Sequence, residues 1–148
     1  MSAPLYNATI LRLASSIPHH ARLGEPHATA ERRSPVCGSR VTIDVQLDGS
    51  GRVAAIGQEV RACALGQASA SLMGEHAVGR TPEELAAARD ALAAFLAGEA
   101  AHPGDWPGLE IFAPARPHAA RHASIRLAFE AVAEAAAAAR AALVARPA

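Results

Sequence analysis

A strict alternation of apolar and polar residues between positions 41 and 47 constrains the fold more than any other feature of this chain. The apolar positions are Val41, Ile43, Val45 and Leu47, separated by Thr42, Asp44 and Gln46. Successive side chains of a strand point to opposite faces, so the pattern predicts a strand with one buried and one solvated face. The turn-forming segment Asp48-Gly49-Ser50-Gly51 and a second extended run, Arg52–Val60, follow it. The two runs are therefore predicted to form an antiparallel hairpin.

Helical signals lie on both sides of the hairpin, and one more short strand is predicted before it. That strand is Ala28–Arg33, which the following Ser34-Pro35 ends. The predicted helices are Leu5–Ala14, a small-residue helix that begins within one or two residues of Cys63, a helix from Thr81-Pro82 to about Ala97 that ends at Gly98, and a final helix over Ser124–Ala145. The sequence thus predicts an α+β fold, with a small antiparallel sheet of about three strands, helices packed on one face and a long C-terminal helix.

The length of 148 residues fits a single domain with its own hydrophobic core. Residues 98–108 are rich in glycine and proline and are predicted to form an exposed connection, after which Leu109–Phe112 makes a brief apolar contact. Residues 145–148 are predicted to be a frayed tail.

The composition excludes several classes of partner. Lys plus Arg and Asp plus Glu are balanced at 14 each, so no global field attracts nucleic acid or an anionic membrane. No uninterrupted apolar stretch approaches the roughly 18 residues that span a bilayer. Two cysteines are too few for a disulfide framework, and the N-terminus lacks the pattern of a secretion signal. We therefore expect a soluble, cytoplasmic protein with reduced thiols.

The two cysteines, Cys37 and Cys63, are the main candidates for chemistry. They lie at the outer ends of the predicted hairpin, which an antiparallel pairing returns to the same side of the sheet. A helix that begins beside Cys63 would place its thiol at the positive end of a helix dipole, where a thiolate is stabilised. For each cysteine a role as a small buried hydrophobe stays open, although Cys37, between Pro35 and Gly38, suits it less.

No phosphate loop, nucleophile elbow or HExxH pattern occurs in the sequence, which favours a binding protein over an enzyme. A catalytic role for Cys37 as a nucleophile is the weakest alternative, because the sequence displays no substrate pocket for it. Among the histidines, His118 and His122 are better ligand candidates than the loop pair His19-His20, because they precede the last helix in a segment interrupted by proline.

Three stretches carry a resemblance to a known family. They read LYNATILRLASSIPHHARLGEP, SPVCGSRVTIDVQLDGSGRVAAIGQEVRACALGQASASLMGE and RHASIRLAFEAV. Over nearly its full length the chain resembles the iron-sulfur cluster assembly scaffolds, namely IscU, SufU and the N-terminal domain of NifU. The second stretch is the most specific, because the family has Cys-Gly-Asp, a hairpin, and then a cysteine before a helix rich in alanine and serine.

The chain departs from the family pattern at two ligand positions. Ser39 stands where the family has aspartate, and Ser124 stands where the third cysteine belongs. The resemblance therefore implies Cys37 and Cys63 as ligands, with Ser39 and Ser124 at the other two positions. His122, two residues before Ser124, is a further candidate ligand. The sequence also lacks the Leu-Pro-Pro-Val-Lys stretch through which the IscU branch meets its chaperone, and its long connection is more similar to the SufU branch.

The resemblance implies a binding and transfer protein, and two hypotheses stay open. In the first, the protein binds iron, a nascent iron-sulfur cluster or persulfide sulfur from a cysteine desulfurase and passes it to recipient apo iron-sulfur proteins, with a cluster shared by a homodimer as one arrangement. In the second, it is a cluster-free and zinc-bound adaptor or regulator of the desulfurase machinery. Since a serine hydroxyl is a poor ligand for iron or zinc, Ser39 and Ser124 predict weakened affinity for either.

Overall fold

A three-stranded antiparallel sheet forms the centre of the structure, a computed structural model that describes residues 5–35 and 38–145. The strands, in the order β1-β2-β3, are β1 (Ala28–Arg33), β2 (Arg40–Leu47) and β3 (Val53–Arg61). The predicted hairpin is thus β2–β3, and the short strand predicted before it pairs with the other side of β2.

The helices follow the predicted order with shifted ends. They are α1 (Ala8–Ala14), α2 (Ala64–His76), α3 (Pro82–Leu96) and α4 (His122–Ala145), and two 3-10 segments cover Leu109–Ala115 and Ala119–Arg121. Helix α1 begins later than predicted because Asn7 caps it, with its side-chain oxygen accepting a bond of 3.0 Å from the amide of Ile10. Helix α3 begins with a capping box between Thr81 and Glu84.

The long helix α4 is the centre of the core. It packs across β1 and β2 and also against α2 and α3. Its buried face is rich in alanine, which lets the helix approach the sheet closely, while β2 supplies larger aliphatic side chains such as Ile43 and Val45. The predicted α+β architecture, with helices on one face of the sheet, is confirmed. Within the described residues, no helix is long and apolar enough to cross a membrane.

The other face of β2 is not solvated, contrary to the prediction. Asp44 is 0% exposed and Thr42 is 7% exposed, although both belong to the polar half of the alternation. Asp44 accepts two bonds from the guanidinium of Arg22, at 2.7 and 3.0 Å, one of 2.9 Å from the amide of Leu23 and one of 2.5 Å from the hydroxyl of Thr29. The segment that contains Arg22 therefore covers the sheet at this point and is bonded to it.

The prediction that residues 98–108 form an exposed connection is wrong at Trp106, which is only 3% exposed. The indole donates a hydrogen bond of 3.0 Å to the carbonyl of Leu72 and meets the ring of Phe129 edge to face. Helix α4 ends at Ala145, as predicted for the final helix, and residues 146–148 of the predicted frayed tail lie outside the described residues.

Candidate functional site

Three side chains from three separate elements meet at one end of the sheet. The Sγ atom of Cys63 lies 3.1 Å from the Oγ atom of Ser124, which in turn lies 3.4 Å from the Oγ atom of Ser39. Ser39 directly precedes β2, Cys63 lies between β3 and α2, and Ser124 is in the first turn of α4. The two serines are almost fully buried, at 4% and 2% exposed, whereas Cys63 is partly buried. Cys63 is therefore the most exposed of the three residues.

Cys63 occupies the N-cap position of α2. Its backbone is extended, with φ of −66° and ψ of 171°, and its carbonyl accepts the first helical bond, from the amide of Gln67. The side chain makes no capping bond to the backbone amides of the first turn. The thiol is therefore held beside the positive end of the helix dipole, with the hydroxyl of Ser124 as its neighbour.

Gly66 makes the approach of Ser124 to Cys63 possible. A Cβ atom at this position would lie 2.6 Å from the Oγ atom of Ser124 and 2.8 Å from the Cβ atom of Ala62. One turn further along α2, the hydroxyl of Ser69 donates a bond of 2.6 Å to the carbonyl of Ile125. Small residues on α2 thus bring the start of α4 against the thiol. Sequence reasoning noted these small residues but did not assign Gly66 and Ser69 to the site, although their spacing of three on one helix was a signal for it.

Backbone hydrogen bonds connect Ser34 with Gly38 and Ser39, the residues that lead into β2. The amide of Ser34 donates to the carbonyl of Ser39 at 2.8 Å, and the amide of Gly38 donates to the carbonyl of Ser34 at 3.2 Å. Gly38 has a φ of 73°, a conformation that glycine adopts without strain. This loop fixes the position of Ser39. Cys37 lies outside the described residues, so its place beside Cys63 stays a prediction.

His122 contacts the 3-10 segment before it. Its Nε2 atom lies 2.9 Å from the carbonyl oxygen of Ala115 and 3.1 Å from that of Arg116. Because a carbonyl oxygen only accepts, Nε2 carries the proton and donates it, and Nδ1 is the ring atom left for a ligand role. The described geometry gives His122 a structural role at the start of α4, and its role as a ligand stays a prediction.

Comparison with protein families identifies the fold. A model of the NifU-like N terminal domain matches residues 5–141. The chain belongs to this family. The resemblance to the iron-sulfur cluster scaffolds that the sequence carries is thereby confirmed.

Two solved structures are similar to this NifU-like chain over most of their length. A nitrogen-fixing NifU-like protein (N-terminal) from Brucella abortus is 39% identical, with 93% of this chain and 95% of that chain covered and a TM-score of 0.86. A putative iron-sulfur cluster assembly scaffold protein for the SUF system from Fervidobacterium islandicum AW-1 is 20% identical, with 89% and 96% covered and a TM-score of 0.82, which shows a shared fold. A search of curated proteins finds no match.

The described donor set of this NifU-like domain fits sulfur better than metal. It consists of one thiol and two hydroxyls, and a neutral hydroxyl is a poor ligand for iron or zinc. Within residues 5–35 and 38–145, no group of three or more His, Cys, Asp and Glu side chains is arranged to hold a metal ion. A hydroxyl is, however, a good hydrogen-bond donor to a thiolate or to a persulfide anion.

Proposed function

We propose that this NifU-like domain works in iron-sulfur cluster assembly, where Cys63 and Cys37 receive sulfur, iron or a nascent cluster and pass it to recipient proteins. The observation that carries the proposal is the meeting of Cys63 with Ser39 and Ser124. These three residues occupy positions that the family pattern assigns to ligands, and although they are far apart in the sequence, the Oγ atom of Ser124 lies 3.1 Å from the Sγ atom of Cys63 and 3.4 Å from the Oγ atom of Ser39.

Sulfur transfer is the step that this donor set supports most directly. The thiolate of Cys63 attacks the outer sulfur of a cysteine persulfide on the desulfurase, the sulfur-sulfur bond of the donor breaks, and the donor cysteine leaves as a thiolate. No electron carrier is needed, because one persulfide is exchanged for another. The hydroxyl of Ser124 donates to the negative sulfur on Cys63, and the dipole of α2 stabilises the same charge.

In this proposal, iron or a nascent cluster is transferred cargo that binds at the same site as the sulfur. The thiolates of Cys63 and Cys37 are its strong ligands, while Ser39 and Ser124 add only weak oxygen donors. Such a site binds cargo loosely and releases it readily, which suits delivery to an apo protein. Two chains that share one cluster would supply four thiolates.

A second candidate function is that of a cluster-free adaptor of the desulfurase, either with zinc or without metal. The hydrogen-bonded contact between Ser39 and Ser124 favours it, because both hydroxyls have polar neighbours within the protein itself. An adaptor would bind the desulfurase and change its turnover without accepting sulfur.

Sulfur loading separates the two functions. The protein is incubated with the cysteine desulfurase of the same organism and cysteine, and its intact mass is measured after removal of the enzyme. We expect the mass of the wild type to increase by the sulfur that it accepts, and the increase to be smaller in Cys63→Ser by at least the sulfur bound to Cys63. The circular dichroism spectra of the two proteins should be the same. Anaerobic incubation with iron and sulfide, followed by absorbance and metal analysis, tests the cluster as cargo.

The outcomes are distinct. Uptake of sulfur, or of a cluster whose charge-transfer absorbance Cys37→Ser or Cys63→Ser removes, supports the carrier. Desulfurase binding without uptake of sulfur or cluster supports the adaptor instead. A protein that neither binds the desulfurase nor takes up sulfur, iron or a cluster contradicts both functions.

The variant Ser124→Cys is expected to increase affinity for zinc or a cluster by at least about tenfold, which corresponds to about 1.4 kcal/mol. It places a second thiol in contact with Cys63, where the native hydroxyl is 3.1 Å away. Competition with a chromogenic zinc chelator under reducing conditions measures the gain. Ser71→Cys adds the same thiol on α2 at a buried position whose hydroxyl contacts the carbonyl of Ser16, so it should leave the affinity unchanged. Equal gains in the two variants would show that the site around Cys63 is not the cause.

A further inference from the structure

Three arginines form a row across the sheet at the end where Cys63 lies. Arg33 of β1 is directly opposite Arg40 of β2, which is directly opposite Arg61 of β3. Residues that are directly opposite in a sheet project from the same face, so the three guanidinium groups share one surface, which we name the arginine row. Arg40 follows Ser39 directly, and Cys63 is two residues beyond Arg61. The arginine row therefore borders the candidate site.

This arrangement carries a cost in stability. Like charges that are directly opposite in a sheet repel each other, and here three of them are adjacent although the whole chain has a formal net charge of zero. The side chains of Arg33, Arg40 and Arg61 are 65%, 29% and 72% exposed. Their charged groups are thus within reach of a partner.

The carboxylates beside the arginine row are too few to neutralise it. Glu31 lies 2.9 Å from Arg33 and 3.8 Å from Arg40, and Glu59 lies 3.8 Å from Arg40 and 3.7 Å from Arg61. Two carboxylates thus serve three guanidiniums, and the distances of 3.7 and 3.8 Å are those of loose, solvent-screened pairs. Glu59 is also 3.8 Å from Arg22. Positive charge is left over on this face.

The start of α4 adds two more cations to the same end of the molecule. Arg121 and Arg126 stand on either side of Ser124 in the sequence, and Ser124 contacts the residue next to Arg40. Across residues 5–35 and 38–145, neither side chain forms an ion pair, and the Nε atom of Arg126 is buried without a hydrogen-bond partner. Two further cations, Arg121 and Arg126, thus lie within three residues of Ser124 in the sequence.

We propose that the arginine row is the docking surface for an acidic segment of the protein that delivers sulfur to Cys63. The inference rests on the proposed function and adds the chemistry of the partner. Strands are about 4.8 Å apart, so the row spans about 10 Å, which matches two or three carboxylates of an acidic segment. Guanidinium groups bind carboxylates in a paired, planar geometry. A protein that makes about 6 to 10 phosphate contacts with nucleic acid needs more cations than the three of this row.

Binding measurements on two charge-matched variants test the proposal. One variant combines Arg33→Gln, Arg40→Gln and Arg61→Gln, and the control combines Arg12→Gln, Arg52→Gln and Arg140→Gln, which removes equal charge elsewhere. The probes are the cysteine desulfurase of the same organism, studied by calorimetry at low and high salt, and a synthetic hexaglutamate peptide. We expect the row variant to lose at least about tenfold in affinity for both probes and the control to stay within about twofold, with wild-type affinity falling as salt rises.

Each result of these binding measurements either supports or contradicts the docking surface. Equal losses of affinity in the two variants would show that only net charge matters and would overturn the docking surface. Desulfurase binding that is unchanged in the row variant, or that is absent in the wild type, would also overturn it. Tighter binding of an oligonucleotide than of hexaglutamate at the same formal charge would make the row a nucleic-acid site and also overturn the proposal. Row-dependent desulfurase binding without sulfur transfer would leave the surface standing and remove the carrier function.

Discussion

Asp44→Asn is expected to lower the free energy of unfolding by about 2 to 4 kcal/mol. The carboxylate is 0% exposed and accepts bonds from Arg22, from the amide of Leu23 and from the hydroxyl of Thr29. An asparagine of the same shape has one acceptor oxygen and brings two donor hydrogens among these donors. The guanidinium of Arg22 is 48% exposed and can return to water, which keeps the expected loss below that of a fully buried pair.

The same carboxylate gives stability a defined pH dependence. Burial by itself would raise the pKa of Asp44, but the hydrogen bonds from Arg22, Thr29 and the amide of Leu23 outweigh it, so the pKa lies below its ordinary value of 3.8. Because the folded pKa is the lower one, the contribution is complete above 3.8 and is lost as the pH falls through the folded pKa. The difference in stability between the wild type and Asp44→Asn should therefore be constant near neutral pH and shrink in acid.

Urea unfolding followed by the fluorescence of Trp106, the single tryptophan, measures both effects. The control is Asp90→Asn, because Asp90 also has a lowered pKa through its bond with Arg89 but is 69% exposed. Solvent screens that pair, so the control should change stability by about 0.5 kcal/mol or less. A loss as large in the control as in Asp44→Asn would contradict the role given to the buried carboxylate.

The sequence predicted the sheet because its signals are local. The alternation over Val41–Leu47 and the turn that follows Asp48 are sufficient for the hairpin, and the structure confirms both strands within one residue at each end. The burial of Asp44 could not be predicted in this way, because its partner Arg22 is 22 residues away in an irregular segment. An alternating pattern tells which residues share a face, and only the packed chain tells whether another segment covers that face.

The candidate site, too, could be predicted from the sequence only where its signals are local. A helix that begins beside Cys63 follows from local signals, and the structure confirms it with Cys63 at the N-cap. The meeting of Ser124 with Cys63 and with Ser39 was implied by the family resemblance alone, since no spacing rule connects residues 61 and 85 positions apart. His122 was proposed by sequence proximity to Ser124; the structure shows its Nε2 atom beside the carbonyl oxygens of Ala115 and Arg116, and its role as a ligand stays a prediction.

Gly66→Ala is expected to destabilise the protein by about 2 kcal/mol and to disturb the site at the same time. In an ordinary helix this change would stabilise by about 1 kcal/mol, because alanine has the higher helix propensity. Here the new Cβ atom would meet the Oγ atom of Ser124 at 2.6 Å, its carbonyl oxygen at 3.1 Å and the Cβ atom of Ala62 at 2.8 Å. Overpacking of this kind costs about 1 to 3 kcal/mol, and several overlaps at once place the cost at the upper end. The overlap therefore exceeds the gain in propensity.

A double-mutant cycle assigns this loss to its cause. Ser124→Ala removes the nearest clashing atom, so Gly66→Ala should cost about 1 kcal/mol less in the Ser124→Ala background than alone. Gly49→Ala, in the exposed turn where a Cβ atom meets nothing within 4 Å, is the control and should change stability by about 0.5 kcal/mol or less. In a Cys37→Ser background, the rate at which iodoacetamide modifies Cys63 reports on the site, and we expect Gly66→Ala to change it while Gly49→Ala does not. Additive effects of Gly66→Ala and Ser124→Ala, with an unchanged rate at Cys63, would show that α4 does not reach the thiol across Gly66.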